Sequence, residues 1–325
     1  MAAFSGGPDS CALLLGLREL GRIRGIEVVA AHLDHGLDPD SAARRRRAAY
    51  LAEQLAVPFL WARRDVAAAR ERRATLEETA RRVRYEYLEE VRNEVGGRWI
   101  ATAHHRDDQL ETLLLRLLQG TGPLGLAGIR PRAGSVVRPL LELSRAELRN
   151  AAASGGLEPI EDPTNFRLDA ARNRLRLLVL PRLLEEEPNL AERAGDLAAA
   201  ARGAGEAIDR ALRGRLAIEP HSAASSRLTV PLSALRELPE PLLPLALALL
   251  HRRSGAQHPP TGAACRELGR QLAAGGRVGG DCGGGWRWRS CRGSLHLVPP
   301  EDHRAASRIL CDSGAGSPTC RPSDT

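Results

Sequence analysis

Residues 1–20 read MAAFSGGPDSCALLLGLREL, and the order within them decides the fold. Met1 to Phe4 is the stub of a strand. Ser5-Gly6-Gly7-Pro8-Asp9-Ser10 is a turn with two glycines and two hydroxyls, and Cys11 to Leu20 is an apolar helix opening after Asp9-Ser10. A strand, a Gly-rich turn and a helix in that order place backbone amides at a helix N-terminus, where an anion is stabilised. Ser5 and Ser10 add hydroxyl donors, and Asp9 is a carboxylate able to hold a divalent metal on bound phosphates. Five fixed residue types in Ser-Gly-Gly-x-Asp-Ser would meet by chance in roughly one such chain in a thousand.

Outward from that turn, strands and helices alternate. Glu27 to His32 is a short, nearly continuous apolar run, as expected of a strand buried on both faces of a parallel sheet. Ser41 to Leu55 is a helix behind a Ser cap, Val57 to Ala62 a strand, and Thr75 to Asn93 a helix opening on Thr75-x-x-Glu78. Trp99 to Ala103 is a strand, followed by His104-His105 and a helix through Leu118. This alternation predicts an α/β domain with a doubly wound parallel sheet, whose ligands lie beyond the carboxyl ends of the strands. Three polar segments follow strands in this way: Ser5 to Ser10, His32 to Leu37 and His104 to Glu111. The catalytic domain is expected over residues 1–190. An Ala-rich linker helix follows over 191–216, then a second, mainly helical domain over 217–299 that ends in the hairpin Trp286 to Val298, and a disordered tail over 300–325.

Composition narrows the class. With 325 residues, 43% apolar and 27% charged, the chain can bury sizeable cores and is neither a disordered nor a coiled-coil sequence. Pro241 to Leu250, the longest apolar run, is about half of what a membrane helix needs, and MAAFSGG lacks the features of a secretory signal, so a cytoplasmic protein is expected. All 47 cationic residues are arginine, and the net charge is +7. A guanidinium forks onto phosphate, but this modest excess does not by itself specify a nucleic-acid binder. The arginines Arg44 to Arg47 fall on all sides of one helix and cannot form a stripe. The six cysteines show no Cys-x-x-Cys pair and no zinc or iron–sulfur spacing. Gly120, Gly122 and Gly125 match a dinucleotide-binding spacing but follow a helix, which is the wrong context.

The first turn lacks the Gly-Lys-Ser/Thr of a Walker loop and resembles the pyrophosphate loop of the N-type ATP pyrophosphatases. Further motifs follow in order: His32-Leu-Asp34-His35-Gly36-Leu37, Leu76 to Tyr85, Ala103 to Thr112, Gly120 to Gly128, Arg138-Pro139-Leu140-Leu141, Glu161 to Asn165, and Arg172-Asn173-Arg174-Leu175-Arg176. In this order the chain resembles the tRNA(Ile)-lysidine synthetase family, densely over residues 4–185. The resemblance implies a ligase that uses ATP to adenylate O2 of the wobble cytidine in a tRNA(Ile) with a CAU anticodon. The amine of free L-lysine then attacks C2, and AMP and pyrophosphate are released. It implies that Ser5, Gly6, Gly7, Pro8, Asp9 and Ser10 bind ATP, with Mg²⁺ on Asp9. It also implies that Asp108 and Glu111, three apart on one helix face, receive the lysine ammonium. Arg84 and His104 are candidates to stabilise the phosphates or the activated cytidine, and Arg172, Arg174 and Arg176 to contact tRNA. Other readings are a tRNA thiolase of the same superfamily, an amidating synthetase or an inactive tRNA-binding relic. The chain departs from the family in a start four residues before Ser5 and in Asp38, where arginine is usual. The chain is also expected to lack the extra C-terminal domain of longer members, whose tRNA-binding role would then fall to residues 200–298.

Overall fold

A computed structural model describes residues 1–36, 40–70, 75–160, 168, 170–216, 229–256, 260–275 and 277–299. Asp38, the Glu161 to Asn165 motif and the tail from residue 300 lie outside these residues. The chain divides into two compact units, Met1–Arg202 and Gly203–Thr325.

The first unit runs β1 (Ala2–Ala3), α1 (Pro8–Arg24), β2 (Ala30–Asp34), α2 (Ser41–Gln54), β3 (Phe59–Arg63), α3 (Leu76–Glu94), β4 (Ile100–Ala101) and α4 (Arg106–Leu118). It continues through β5 (Arg132–Ala133), β6 (Val136–Val137), α5 (Arg145–Ser154), α6 (Ala171–Arg174), a π-turn over Leu175–Val179, α7 (Leu180–Glu186) and α8 (Leu190–Arg215), which runs past the division between the units. The six strands lie in the order β3-β2-β1-β4-β6-β5. All neighbours are parallel except β5, which pairs antiparallel with β6. The two-residue β1 is central, flanked by β2 and β4.

Alternation along the strands explains the double winding. Ala2 and Ala30 face a core built with Leu13 and Leu14 of α1, Leu51 of α2 and Leu148 of α5. Ala3, Ala31 and Leu33 face the opposite core, with Val83, Leu88 and Val91 of α3. Each fully buried aliphatic side chain in these two layers contributes roughly 2 kcal/mol.

Local chemistry accounts for the shifts from the expected boundaries. Helix α1 begins at Pro8 and not at Cys11, because proline at N1 already has a helical φ and has no amide proton to leave unpaired. Strand β2 lies at 30–34 and not 27–32, since its register is set by the pairs Ala2↔Ala30 and Ala3↔Ala31 with the short β1. Helix α3 has the capping box read from Thr75 and Glu78, with the Glu78 amide donating to Thr75 Oγ1 at 3.1 Å.

In the second unit, β7 (Thr229–Pro231), α9 (Leu232–Arg236), α10 (Leu243–Arg253), α11 (Gly262–Ala273), β8 (Gly279–Gly283), β9 (Trp286–Cys291) and β10 (Ser294–Val298) follow one another. The strands form an antiparallel sheet, β7-β10-β9-β8, beside the expected helices. Sequence alone reveals the β9–β10 hairpin of this sheet. Strand β8 reads GGDCG, which carries no apolar alternation, and is held by its backbone pairing with β9. Trp288 is buried with Leu247, Leu268 and Leu295, while Trp286 packs at the edge of that core. Core packing therefore accounts for both tryptophans.

Candidate active site

The turn after β1 is fixed from both sides. Gly6 has φ +83°, and a Cβ there would stand 2.7 Å from Ile160 Cδ1, so only glycine fits without displacement. The Gly6 carbonyl accepts the Ile160 amide at 2.8 Å. Ser5 Oγ and Ser10 Oγ are 3.1 Å apart, and Ser10 Oγ donates to the Gly7 carbonyl at 2.9 Å. Gly7 is the N-cap residue of α1, and no side chain caps that helix. Its N-terminal dipole therefore faces the loop without a protein acceptor from a capping side chain. Cys11, just inside α1, is buried, and this pushes its thiol up to about 12 despite the neighbouring Arg47 charge. Such a thiol is protonated at neutral pH and is a poor nucleophile.

Asp9 projects from the first turn of α1. One oxygen, Oδ2, lies 3.4 Å from His105 Nε2, while Oδ1 is buried with no hydrogen-bond partner among the described residues. A buried carboxylate oxygen without a donor is the condition a cation would satisfy.

His105, to which sequence reasoning gave no role, sits at the centre. It is the N-cap residue of α4, is 1% exposed, and meets three carboxylates. These are Asp9 and Asp108 at Nε2 (3.4 and 3.5 Å) and Asp107 at Nδ1 (3.4 Å). Burial opposes the imidazolium, but the bonds to Asp107 and Asp9 and the charge of Asp108 overcome this and raise its pKa to about 9. Burial also opposes the Asp107 carboxylate, yet His105 and the Arg145 amide (2.8 Å) lower its pKa to about 2. The doubled histidine at the end of β4 was the available signal. Which of the two faces the loop depends on the helix start that follows.

One turn along α4, Asp108 and Glu111 share a face as expected. Both are engaged by arginines from the α6–π segment. Arg172 donates to Glu111 Oε2 at 2.7 Å and to Asp108 Oδ1 at 2.8 Å. Arg176 forks onto Glu111 at 2.6 and 2.8 Å, and Arg145 reaches Glu111 Oε1 at 3.5 Å. Glu111 is fully buried. For Asp108, burial is outweighed by the His105 and Arg172 charges and by the His105 amide, which donates to it at 3.1 Å, and these hold its carboxyl below the usual range. Arg174, offset on the helix, donates to the Leu168 carbonyl at 2.8 Å. The three arginines read for tRNA contact are thus divided, with Arg172 and Arg176 turned inward to carboxylates.

His104 bonds Thr102 Oγ1 through Nδ1 at 2.9 Å. Burial and the charges of Arg138, Arg81 and Arg172 outweigh Asp108 and lower its pKa to about 4, so it is neutral at pH 7. Arg84 is exposed to solvent, although neighbouring protein crowds its guanidinium. That enclosure, with the Arg81 and Arg172 charges, lowers its pKa. On the β2 side, His32 Nδ1 lies 2.9 Å from the Phe4 carbonyl, and Asp34 accepts from the Gly36 amide at 2.9 Å and Ser41 Oγ at 3.2 Å. Among the described residues no group of three or more His, Cys, Asp or Glu is arranged to hold a metal ion. A cation on Asp9 would therefore take most of its ligand oxygens from bound phosphate and water, as Mg²⁺ commonly does.

Loop, carboxylates and arginines all lie beyond the carboxyl ends of parallel strands, where an α/β sheet binds its ligand. Comparison with known proteins gives this geometry a family. The chain is similar to a tRNA(Ile)-lysidine synthase of Thermus thermophilus, 48% identical over 220 residues that cover 67% of this chain and 42% of that one. It is also similar to the tRNA(Ile)-lysidine synthase of Thermotoga sp. strain RQ2, 38% identical over 191 residues, 58% of this chain and 46% of that one. The chain thus spans less than half the length of these relatives. Among solved structures, the U34-tRNA thiolase NcsA from Methanococcus maripaludis with its 4Fe-4S cluster shares the fold, with a TM-score of 0.52 over 61% of this chain and 70% of that one at 15% identity. The PP-loop domain, an ATP-binding domain, matches residues 1–183, a stretch that holds all six strands of the first sheet, the Ser5–Ser10 loop and the carboxylate–arginine cluster; the chain belongs to the PP-loop domain family.

Proposed function

We propose that this chain is a tRNA(Ile)-lysidine synthetase. It would adenylate O2 of the wobble cytidine of a tRNA(Ile) with a CAU anticodon, and couple free L-lysine at C2. The observation that carries the reading is the chain of contacts from Asp9 through His105 to Asp108. It joins the loop that would hold a triphosphate to the carboxylates that would hold an amine.

In this mechanism the α1 N-terminus and the Ser5 and Ser10 hydroxyls receive the β,γ-phosphates. The unpartnered oxygen of Asp9 fits Mg²⁺, which when bound would neutralise phosphate charge. Attack of the cytidine O2 on the α-phosphorus releases pyrophosphate and converts O2 into a leaving group. The lysine ε-amine then attacks C2, the C2–O2 bond breaks, AMP departs with that oxygen, and the amine gives up its proton. Here the protein supplies position and electrostatics. His105 fixes Asp9 and Asp108 relative to each other, and neutral His104 can donate or accept one hydrogen bond without adding charge. An ammonium arriving at Asp108 and Glu111 replaces a guanidinium, one cation for another. RNA phosphate contact by Arg172 or Arg176 likewise means exchanging a carboxylate for a phosphate, and Arg174 offers a third contact. A reaction that consumes ATP, free lysine and tRNA belongs in the cytoplasm, where all three are found together.

A tRNA thiolase would need a reactive or cluster-binding cysteine in the catalytic unit. Cys11 is the cysteine of residues 1–202 and is buried with a raised pKa, which favours the lysine reading. The test is incubation of the full chain with ATP, Mg²⁺, labelled lysine and transcribed tRNA(Ile). We expect pyrophosphate release together with lysine in the tRNA. Pyrophosphate release that depends on sulfide and leaves lysine free would overturn the proposal.

A further inference from the structure

Aromatic residues are 3% of the chain, and most of those described pack into one of the cores. Among the described residues two are exposed, Tyr50 of α2 at 46% and Trp61 of β3 at 47%. Trp61 stands on an edge strand of the first sheet, on the face of β3 that Phe59 shares. Its register partner is His32, whose Nδ1 meets the carbonyl of Phe4, the residue before the Ser5–Ser10 loop. Trp61 is therefore level with the start of that loop and two strands away, roughly 10 Å. Over its ring lies the Arg45 guanidinium, 3.7 Å from the ring centre. Two residues on, along the same face, Arg63 reaches the loop after β2. Its Nε is 3.6 Å from where a Cβ of Gly36 would stand.

The Arg44 to Arg47 run does not act as one surface. Arg47 pairs with Glu158 at 2.8 Å on one side of α2, and Arg45 turns to the sheet edge on the other. Residues 41–64 nonetheless hold six arginines against one acidic residue, Glu53, so most of the chain's net charge of +7 lies in this stretch. Tryptophan is the best ring for a cation, and ring and guanidinium both offer flat faces on which a base can stack. A stacking surface set in positive charge suits single-stranded nucleic acid, with the base on the ring and phosphates on the cations. We propose that Arg45, Trp61 and Arg63 form an RNA-docking surface on which one unpaired base stacks, running from the sheet edge toward the loop after β2. Charge complementarity favours RNA over a second copy of this chain, since a two-fold contact would set this positive flank against itself. The assignment deepens the function proposed above and rests on it, because an anticodon loop presents unpaired bases.

The test is binding of the full chain to an anticodon stem-loop RNA of tRNA(Ile) and, separately, to α,β-methylene-ATP with Mg²⁺. Wild type is compared with Trp61→Ala, Trp61→Phe and Arg45→Gln. For Trp61→Ala we expect RNA binding about tenfold weaker at an unchanged salt slope, since a stack and not a phosphate contact is lost. Trp61→Phe should recover part of that loss, and Arg45→Gln should weaken binding with a slope shallower by about one phosphate contact. RNA should quench the tryptophan fluorescence of wild type more than that of Trp61→Phe, and methylene-ATP binding should stay within about twofold throughout. Trp61 lies outside the buried cores, so Trp61→Ala should keep the wild-type melting temperature. Unchanged RNA binding by that variant, or a wild-type chain that binds no stem-loop, would overturn the surface. Weaker methylene-ATP binding alone would put adenine on the ring, and a dimer lost in Trp61→Ala with RNA binding intact would put a second copy there; either overturns the RNA assignment. Lysine incorporation separates the two proposals. A chain that forms lysidine while Trp61→Ala binds RNA normally sinks the surface alone, and stem-loop binding that needs Trp61 in a chain that leaves lysine free sinks the lysidine reading alone.

Discussion

Arg176 and Glu111 form a two-bond fork, Nε to Oε1 at 2.6 Å and Nη2 to Oε2 at 2.8 Å, around a carboxylate with no exposure to solvent. Arg172 adds a third short bond to the same group at 2.7 Å. A buried carboxylate with this many charged donors is held rigidly, and removing it strands the cations that surround it.

Glu111→Gln should therefore act twice. The neutral amide removes the main counter-charge of Arg172 and Arg176 and leaves the two to share Asp108, and we expect a loss of about 3 kcal/mol in stability, read by thermal or urea unfolding. At temperatures where the variant is folded, lysine transfer should fall more than pyrophosphate release. Equal losses in the two steps would remove Glu111 from the amine site.

Asp9 has one oxygen on His105 and one without a partner among the described residues. Asp9→Ala should lower tRNA-dependent pyrophosphate release by about 100-fold or more, the scale of losing a preorganised charge at a phosphoryl site. Turnover within a few-fold of wild type, measured with saturating Mg²⁺, would rule out the metal role.

Gly6 combines a left-handed φ with a near neighbour in Ile160. For Gly6→Ala we expect a loss of about 1–3 kcal/mol from backbone strain and displacement, together with weaker nucleotide binding. A double variant with Ile160→Ala should regain the part due to the clash and keep the part due to φ, which unfolding curves for the two variants can separate.

The buried His105 ties stability to pH. Its pKa is raised from an ordinary 6.5 to about 9, so the stabilisation is complete below pH 6.5 and is lost as pH rises through 9, by an amount of about 3 kcal/mol. Asp107 has the opposite sign. Held at about 2, it stabilises above its ordinary 3.8 and loses that contribution as pH falls through 2. Melting temperatures between about pH 6 and pH 10 should fall more steeply for wild type than for His105→Gln. Parallel curves would show that His105 carries no proton linkage in that window.

Short-range signals in the chain were enough for the Gly-rich turn between β1 and α1, the alternation that makes a doubly wound sheet, the α3 capping box and the shared face of Asp108 and Glu111. Each depends on neighbours within about four residues, where backbone geometry and helix periodicity act directly. The partners of those groups were not legible. Glu111 meets Arg172 and Arg176 from 61 and 65 residues away. Asp9 meets His105 because β1 and β4 are neighbours in the sheet, and Ile160 closes on Gly6 from beyond α5. Strand β8 needs β9 beside it to be a strand at all. Arginines 172, 174 and 176 look alike in sequence, and helical offset alone separates one from the other two; only packing against α4 decides that the pair faces a buried carboxylate. Charge pairing in a protein interior is set by which groups the fold brings within about 3 Å, and that distance is a property of the assembled sheet and helices, not of any local run of residues.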